Sequence, residues 1–367
     1  MFSRQPRSGP PSFSVVAAAR PNFMKVGPVI DALAGSAEVE LVHTGQHYDR
    51  AMSQSFFDEL GLPEPDVNLG VGSGTHAEQT AAVMVAYEQR LLAHSPDVVI
   101  VVGDVNSTIA ATLAATKLRI PVAHVEAGLR SRDWGMPEEI NRVLTDRVSR
   151  WLFAPSDDGR DNLAAEGLPD EWIHVVGNVM IDTLLRNLPR ARERALGLAE
   201  QHDLGRYGLL TLHRPSNVDD DEHFARLLDA LGDVDPDLDI VFPVHPRTQR
   251  ALAASSRTPR NLRLIDPLGY LDFVALMSGA QVAFTDSGGV QEETSVLGVP
   301  CVTLRENTER PITCELGTNE VVGTAPDAIV NAGRRALTKE RTPAQIPLWD
   351  GKAGQRIADV LLADLNA

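Results

Sequence analysis

Apolar positions in this chain fall into short β-branched runs separated by longer stretches of helical composition. Asp97-Val-Val-Ile-Val-Val102 is the clearest run, and its lack of alternation predicts a parallel strand buried on both faces. Further strands are predicted at Phe13 to Ala19, Glu38 to Thr44, Ile120 to Val125, Trp151 to Ala154 and Trp172 to Val176. Helices are predicted over Met24 to Ala34, Arg50 to Leu60, Ser107 to Lys117 and Asp157 to Glu166. Thr75-His-Ala-Glu78 is a capping box opening a long helix through Ala93, with Ala82, Val85, Ala86 and Leu92 as its apolar positions. Repeated β-α alternation of this kind makes a doubly wound parallel sheet.

The alternation restarts after Leu184 to Gly205, an Arg- and Ala-rich stretch that carries the crossing between domains. Strands follow at Gly208 to Leu212, Asp239 to Pro243, Leu262 to Ile265, Gln281 to Thr285 and Pro300 to Leu304. Helices are predicted over Asp221 to Leu231 and Gly269 to Ser278, and Lys352 to Leu365 closes the chain as an amphipathic helix. A length of 367 residues suits two such domains. The expected limits are a loose Pro/Gly-rich lead over 1–12, domains over 13–182 and 183–347, and the closing helix over 350–367.

Strand ends carry the candidate chemistry, because open α/β sheets hold ligands at their carboxyl edge. One strand ends on Gly103-Asp104, the next on Glu126, and Glu138 opens the helix that follows. Asp104 and Glu138 taken singly could be helix caps, but three acids at one sheet edge favour catalysis. At the first βα turn Arg20 and Lys25 stand where a dinucleotide site would place its glycines. This argues against a nicotinamide cofactor and for anion binding, with two solvated cations as the alternative. In the second half Ser287, Gly288 and Gly289 offer bare backbone N–H groups to a diphosphate, or simply form a tight turn. Glu293, one helical turn on, is placed to accept from ribose hydroxyls, and Arg310 adds a cation if it is not merely a surface residue.

Charge and cysteines narrow the partners. A net charge of −16 argues against nucleic acid or an anionic membrane, and no apolar run approaches a membrane span. Cys301 and Cys314 lack metal or redox spacing, and the ten His are scattered, so no metal site is expected and a reducing cytoplasm is.

These residues, in order, resemble the bacterial non-hydrolysing UDP-N-acetylglucosamine 2-epimerases. The resemblance is carried by Arg20-Pro…Lys25, Gly45-Gln46-His47, Gly103-Asp104, His124-Val-Glu-Ala-Gly-Leu-Arg130 and Pro137-Glu-Glu-Ile-Asn-Arg142. Gly177-Asn178, His213-Arg214, Pro243-Val-His245, Thr285-Asp-Ser-Gly-Gly-Val-Gln-Glu-Glu293 and Glu309-Arg-Pro311 complete it. It implies the GT-B architecture, two Rossmann-like domains with a cleft between them and a last helix packed back on the first. It also implies a cytoplasmic homodimer that serves cell-surface polysaccharide synthesis and needs no cofactor. The implied reaction eliminates UDP from UDP-GlcNAc to 2-acetamidoglucal and re-adds it after protonation of C2 from the other face. Asp104, Glu126, Glu138 and His213 would be catalytic; Arg20, Lys25, Phe273, Ser287, Gly288, Gly289, Glu293 and Arg310 would bind the nucleotide. Gln46, Arg214 and His245 are candidates for an allosteric substrate site.

The chain departs from the family pattern at several points. Pro215-Ser216-Asn217 follow His213-Arg214, the loop between Arg130 and Pro137 is short, Leu268 replaces a polar residue, and Tyr48-Asp49-Arg50 follow Gln46-His47. Rival readings are a hydrolysing epimerase releasing ManNAc and UDP, and a 2-epimerase of a related UDP-sugar such as a diacetamido uronic acid. A GT-B glycosyltransferase or nucleotide-sugar binder is a third, for which paired acids at Glu126 and Glu138 have less use.

Overall fold

The computed structural model describes residues 9–18, 20–45, 57, 59–244, 248–249, 252 and 259–366, with Arg20 described by its backbone alone. The chain divides into two compact units, one running to Thr183 and resuming at Pro347, the other Leu184–Ile346.

In the first unit the strands are β1 Ser12–Ala17, β2 Glu38–His43, β3 Val67–Asn68, β4 Val98–Val102, β5 Val122–Val125, β6 Trp151–Ala154 and β7 Ile173–Val175. They form one parallel sheet in the order β3-β2-β1-β4-β5-β6-β7. Every residue of β4 is buried, as its unbroken apolar run predicts. Alternate side chains divide between the faces: Val98, Ile100 and Val102 join one core with Phe13 and Val15, while Val99 and Val101 join another with Val16 and Tyr87.

The second unit repeats the plan. Its strands are β8 Tyr207–Thr211, β9 Asp239–Pro243, β10 Leu262–Ile265, β11 Ala283–Thr285, β12 Cys301–Thr303 and β13 Asn319–Val321. Again the pairings are parallel, in the order β10-β9-β8-β11-β12-β13. In each sheet the strand order reverses once, between β1 and β4 and between β8 and β11. Those two switch points are where the carboxyl edge opens to a ligand.

Several elements differ from expectation. The first helix is Arg20–Leu33 and begins four residues early, because Pro21 tolerates a first turn in which its missing N–H would be unpaired anyway. Pro28, inside that helix, cannot donate to the carbonyl of Met24; the Thr183 hydroxyl does so instead at 2.6 Å. Helix Ala353–Asn366 packs against the same place, where a Cβ on Gly354 would sit 2.5 Å from the Pro28 carbonyl oxygen. Helix His76–Ala93 is capped by Thr75 and Glu78 as predicted, but it buries Gln79, Val83, Tyr87 and Leu91 rather than the expected face. Tyr87 decides this: its ring is fully buried and its hydroxyl donates to Ser14 at 2.8 Å, which turns Val85 and Leu92 outward. Leu184 to Gln201 belongs to one long helix, Val179–Gln201. The predicted helix over Arg50 to Leu60 lies largely outside the described residues.

Candidate active site

The switch point of the first sheet gathers acids and their counter-charges. After β4 the chain turns through Gly103 at φ +65°, a left-handed conformation suited to glycine. A Cβ there would lie 3.3 Å from Lys25 Nζ and 3.4 Å from Glu126 Oε2, so the bare turn lets both side chains close over it. Lys25 and Glu126 form an ion pair with side-chain exposures of 12% and 3%. Glu126 itself has φ +70°, strain of order 1 kcal/mol that an ordinary strand end would not carry. Asp104 pairs with Arg142, whose other arm binds Glu139 at 2.6 Å. Glu139 also accepts from the backbone N–H groups of Ser131 and Arg132, which fastens the short loop before Pro137.

Glu138 is different. It is half-buried, makes no hydrogen bond or ion pair among the described residues, and lines a pocket of about 260 Å³ with Asp104, His76, Gln79, Asn106 and Asn141. Asn141 ties that pocket together by donating to the Asp104 carbonyl at 2.9 Å. Two of the three predicted acids are therefore held by cations and the third stands open.

At the second switch point, between β8 and β11, His213 meets Asp286. Asp286 is fully buried and accepts from the backbone N–H groups of His213 and Arg214 at 3.0 and 2.9 Å and from Asn217 Nδ2 at 3.1 Å. Its Oδ1 lies 2.8 Å from His213 Nδ1, while more than half of the His213 side chain is exposed. Burial alone would raise the Asp286 carboxyl; the bonds from His213 and Arg214 outweigh it and hold it below the usual range.

Helix Gly288–Leu297 starts beside this pair, with Ser287 as its N-cap. The Ser287 hydroxyl makes no cap bond, so the first-turn N–H groups and that hydroxyl remain available to an anion. Arg310 packs against the same turn: a Cβ on Gly288 would be 2.3 Å from its Nη1. The guanidinium is held by Glu292 at 2.7 Å and Glu309 at 2.6 Å, and Glu309 is held in turn by Arg305 at 2.7 Å. Glu293 is buried and accepts from the Tyr270 hydroxyl at 2.8 Å. Burial pushes its carboxyl up to about 7, against the lowering effect of the Tyr270 bond. Phe273, half-buried, sits one turn along helix Tyr270–Gly279 from Tyr270.

The structure thus gathers Lys25, Asp104, Glu126 and Glu138 in one unit and His213, Arg214, Phe273, Ser287, Gly288, Gly289, Glu293 and Arg310 in the other. Lys25, expected beside the nucleotide, is bonded to an expected catalytic acid. Gln46, His245 and the side chain of Arg20 lie outside the described residues. The sequence assigns no site role to Asp286, Tyr270, Arg142 or Glu139. Asp286 had the same signal as Asp104, an acid directly after an apolar strand, whereas the other three show their role only through tertiary contacts. Among the described residues no group of three or more His, Cys, Asp or Glu could hold a metal ion, and no helix is long and apolar enough to cross a membrane.

The chain resembles known proteins over nearly its whole length. The family model described as UDP-N-acetylglucosamine 2-epimerase matches residues 31–362. UDP-N-acetylglucosamine 2-epimerase of Methanocaldococcus jannaschii is 43% identical over 359 residues, covering 95% of this chain and 98% of that protein. UDP-2,3-diacetamido-2,3-dideoxy-D-glucuronate 2-epimerase of Pseudomonas aeruginosa is 41% identical over 350 residues, covering 94% and 97%. The crystal structure of the M. jannaschii protein in complex with UDP-GlcNAc and UDP superposes with a TM-score of 0.89, covering 96% of this chain and 99% of that one. With its two parallel sheets and interleaved helices, the chain is an α/β protein of the GT-B type.

Proposed function

The chain belongs to the UDP-N-acetylglucosamine 2-epimerase family, and from that premise we propose that it interconverts UDP-GlcNAc and UDP-ManNAc. A carboxylate takes the proton from C2 while the C1–O bond to the diphosphate breaks; the C–H electron pair becomes the C1=C2 bond of 2-acetamidoglucal. UDP stays bound, C2 is reprotonated from its other face, and UDP adds back to C1.

The observation that supports it best is the contrast among the acids. Glu138 lacks a partner among the described residues and faces the pocket, whereas Asp104 and Glu126 are ion-paired with Arg142 and Lys25. Their fixed negative charge suits the positive charge that develops at C1. On the diphosphate side, Arg310 and the N–H groups of the Ser287-Gly288-Gly289 turn receive the charge released on UDP. His213, oriented by Asp286, serves the leaving phosphate through its remaining ring nitrogen. Glu293 and Phe273 are assigned to the nucleoside, Arg20 and Lys25 to nucleotide binding, and Gln46, Arg214 and His245 to a second substrate site.

A homodimer follows from the same resemblance, and a cytoplasmic setting suits the free thiols of Cys301 and Cys314. The relative that acts on a diacetamido uronic acid keeps a related UDP-sugar as a second reading. Incubation with UDP-GlcNAc in deuterated water tests the proposal: UDP-ManNAc with deuterium at C2 and no free sugar is expected. Absence of both product and exchange would refute it. Accumulation of ManNAc and UDP would instead assign a hydrolysing epimerase.

A further inference from the structure

His124 has both ring nitrogens against acceptors. Nδ1 lies 2.6 Å from Asp146 Oδ1, and Nε2 lies 2.8 Å from the Gly103 carbonyl oxygen. Both side chains are wholly buried. A carbonyl oxygen can only accept, so Nε2 must carry hydrogen. Asp146 Oδ2 already accepts from the Gly128 N–H at 3.1 Å and from Arg130 at 2.8 Å. Burial would raise the Asp146 carboxyl, but its contacts with His124 and Arg130 outweigh this and hold it below the usual range. An ionised carboxylate has no hydrogen to give, so Nδ1 must carry one as well. A neutral ring would set lone pair against lone pair at one of the two contacts, in a site closed to solvent.

We infer that His124 is a buried, doubly donating imidazolium and the positioning residue for the three acids. It touches the turn before Asp104, lies two residues before Glu126, and grips Asp146 on helix Pro137–Val148, the helix that Glu138 opens. A single ring therefore ties together all three segments that carry the acids. Arg130 and Glu166, bonded at 2.7 Å, complete a network of two cations and two carboxylates, with Glu166 at its exposed end. The ring acts through others, since it has no free polar atom to offer a substrate. Losing it would let Asp104, Glu126 and Glu138 drift relative to one another, and small displacements of that kind are costly to reaction rates.

Two measurements test this, and only the second rests on the epimerase reading. In the first, the folded wild-type protein is labelled with 15N in its histidine rings and studied by NMR near neutral pH. The signal lost in His124→Gln is expected to show both ring nitrogens bonded to slowly exchanging hydrogens. An unprotonated nitrogen in that ring would overturn the inference, and so would hydrogens that exchange as fast as those of an exposed histidine. In the second, Asp146→Asn and His124→Gln are assayed with UDP-GlcNAc. The expected result is a kcat lower by about 100-fold with KM changed by less than about 3-fold. UDP affinity by calorimetry should hold, because Arg310 and the Ser287-Gly288-Gly289 turn assigned to the diphosphate belong to the other unit. Equal losses in kcat and UDP affinity would mean general damage and overturn the positioning role. Should wild-type protein lack epimerase activity, the proposed activity fails while the NMR result still decides the state of the ring.

Discussion

The Asp286 carboxylate bonds to His213 Nδ1 and to the His213 backbone N–H, gripping that residue at two points. This fixes both the ring orientation and the tautomer: Nδ1 carries hydrogen, and Nε2 is left for chemistry. Asp286→Asn keeps the shape but presents a weaker, uncharged partner and allows the other tautomer. The expected outcome in steady-state kinetics is a kcat reduced by about 10²- to 10³-fold with little change in KM. The same substitution replaces one of two buried acceptor oxygens by an amide donor, and thermal melts should show about 1–3 kcal/mol of lost stability.

Gly288 is set by Arg310. Alanine at this position would put Cβ 2.3 Å from Nη1 and 2.7 Å from Cζ of a guanidinium clamped by Glu292 and Glu309. Neither side can yield without breaking a buried ion pair, so Arg310 moves off the helix N-terminus. Gly288→Ala should weaken UDP binding by roughly 10-fold or more, the equivalent of losing one charge-assisted contact. Calorimetric titration with UDP reads this directly, and unchanged affinity would remove Arg310 from the diphosphate site.

Much of this was legible in the sequence, and the part that was not has a physical pattern. The unbroken run at β4 and the acids after β4 and β5 could be read locally, because a parallel sheet buries whole strands and opens at their ends. β3, two residues long, carries too little apolar pattern to be seen. Helix Pro326–Thr338 does have a proline at its start and buries Ile329, Ala332 and Ala336, but it lies beyond the motifs that carried the reading. The Lys25–Glu126 and Arg142–Asp104 pairs join residues far apart in the chain, and no local spacing encodes them.

Glu293 gives stability a pH dependence of known sign. Its carboxyl is raised from 4.5 to about 7 in the folded protein, with burial as the main cause. Between those values the folded state keeps a proton that the unfolded chain has released, so stability falls as pH rises through the window and levels off above it. Glu293→Gln stays neutral throughout and lacks that slope. The unfolding free energy of the wild type relative to Glu293→Gln should fall by on the order of 2 kcal/mol between about pH 5 and 7.5. Parallel denaturation curves at the two pH values would show that Glu293 ionises normally.

Lys25 and Glu126 make a buried pair in which each charge justifies the other. Glu126→Gln strands the Lys25 ammonium and should cost about 3 kcal/mol or more of stability along with nearly all turnover. Adding Lys25→Met removes the stranded charge. The double variant should regain about 2 kcal/mol of stability by denaturant unfolding. It should remain inactive, since the acid is still missing. Recovery of turnover in the double variant would show that Glu126 serves structure alone.

Helix Pro137–Val148 is amphipathic in the inverted sense. It buries Thr145 together with Glu139, Arg142 and Asp146, which hold the Ser131 loop, Asp104 and His124, and turns Ile140, Leu144 and Val148 outward. Those three are 42%, 50% and 41% exposed at spacings of four residues, so they form one stripe along the helix. Polar groups occupy the inner face because the site needs them, which leaves apolar residues facing out on a helix that also needs cover. A second copy of the chain is the cover that the proposed homodimer supplies. Leu144→Glu should then convert the dimer to a monomer in sedimentation at micromolar concentration, while Leu196→Glu, at another exposed leucine, should not. Since the buried face of the same helix holds Arg142 against Asp104, loss of the dimer should also lower kcat. A wild-type protein that already sediments as a monomer would end the homodimer proposal.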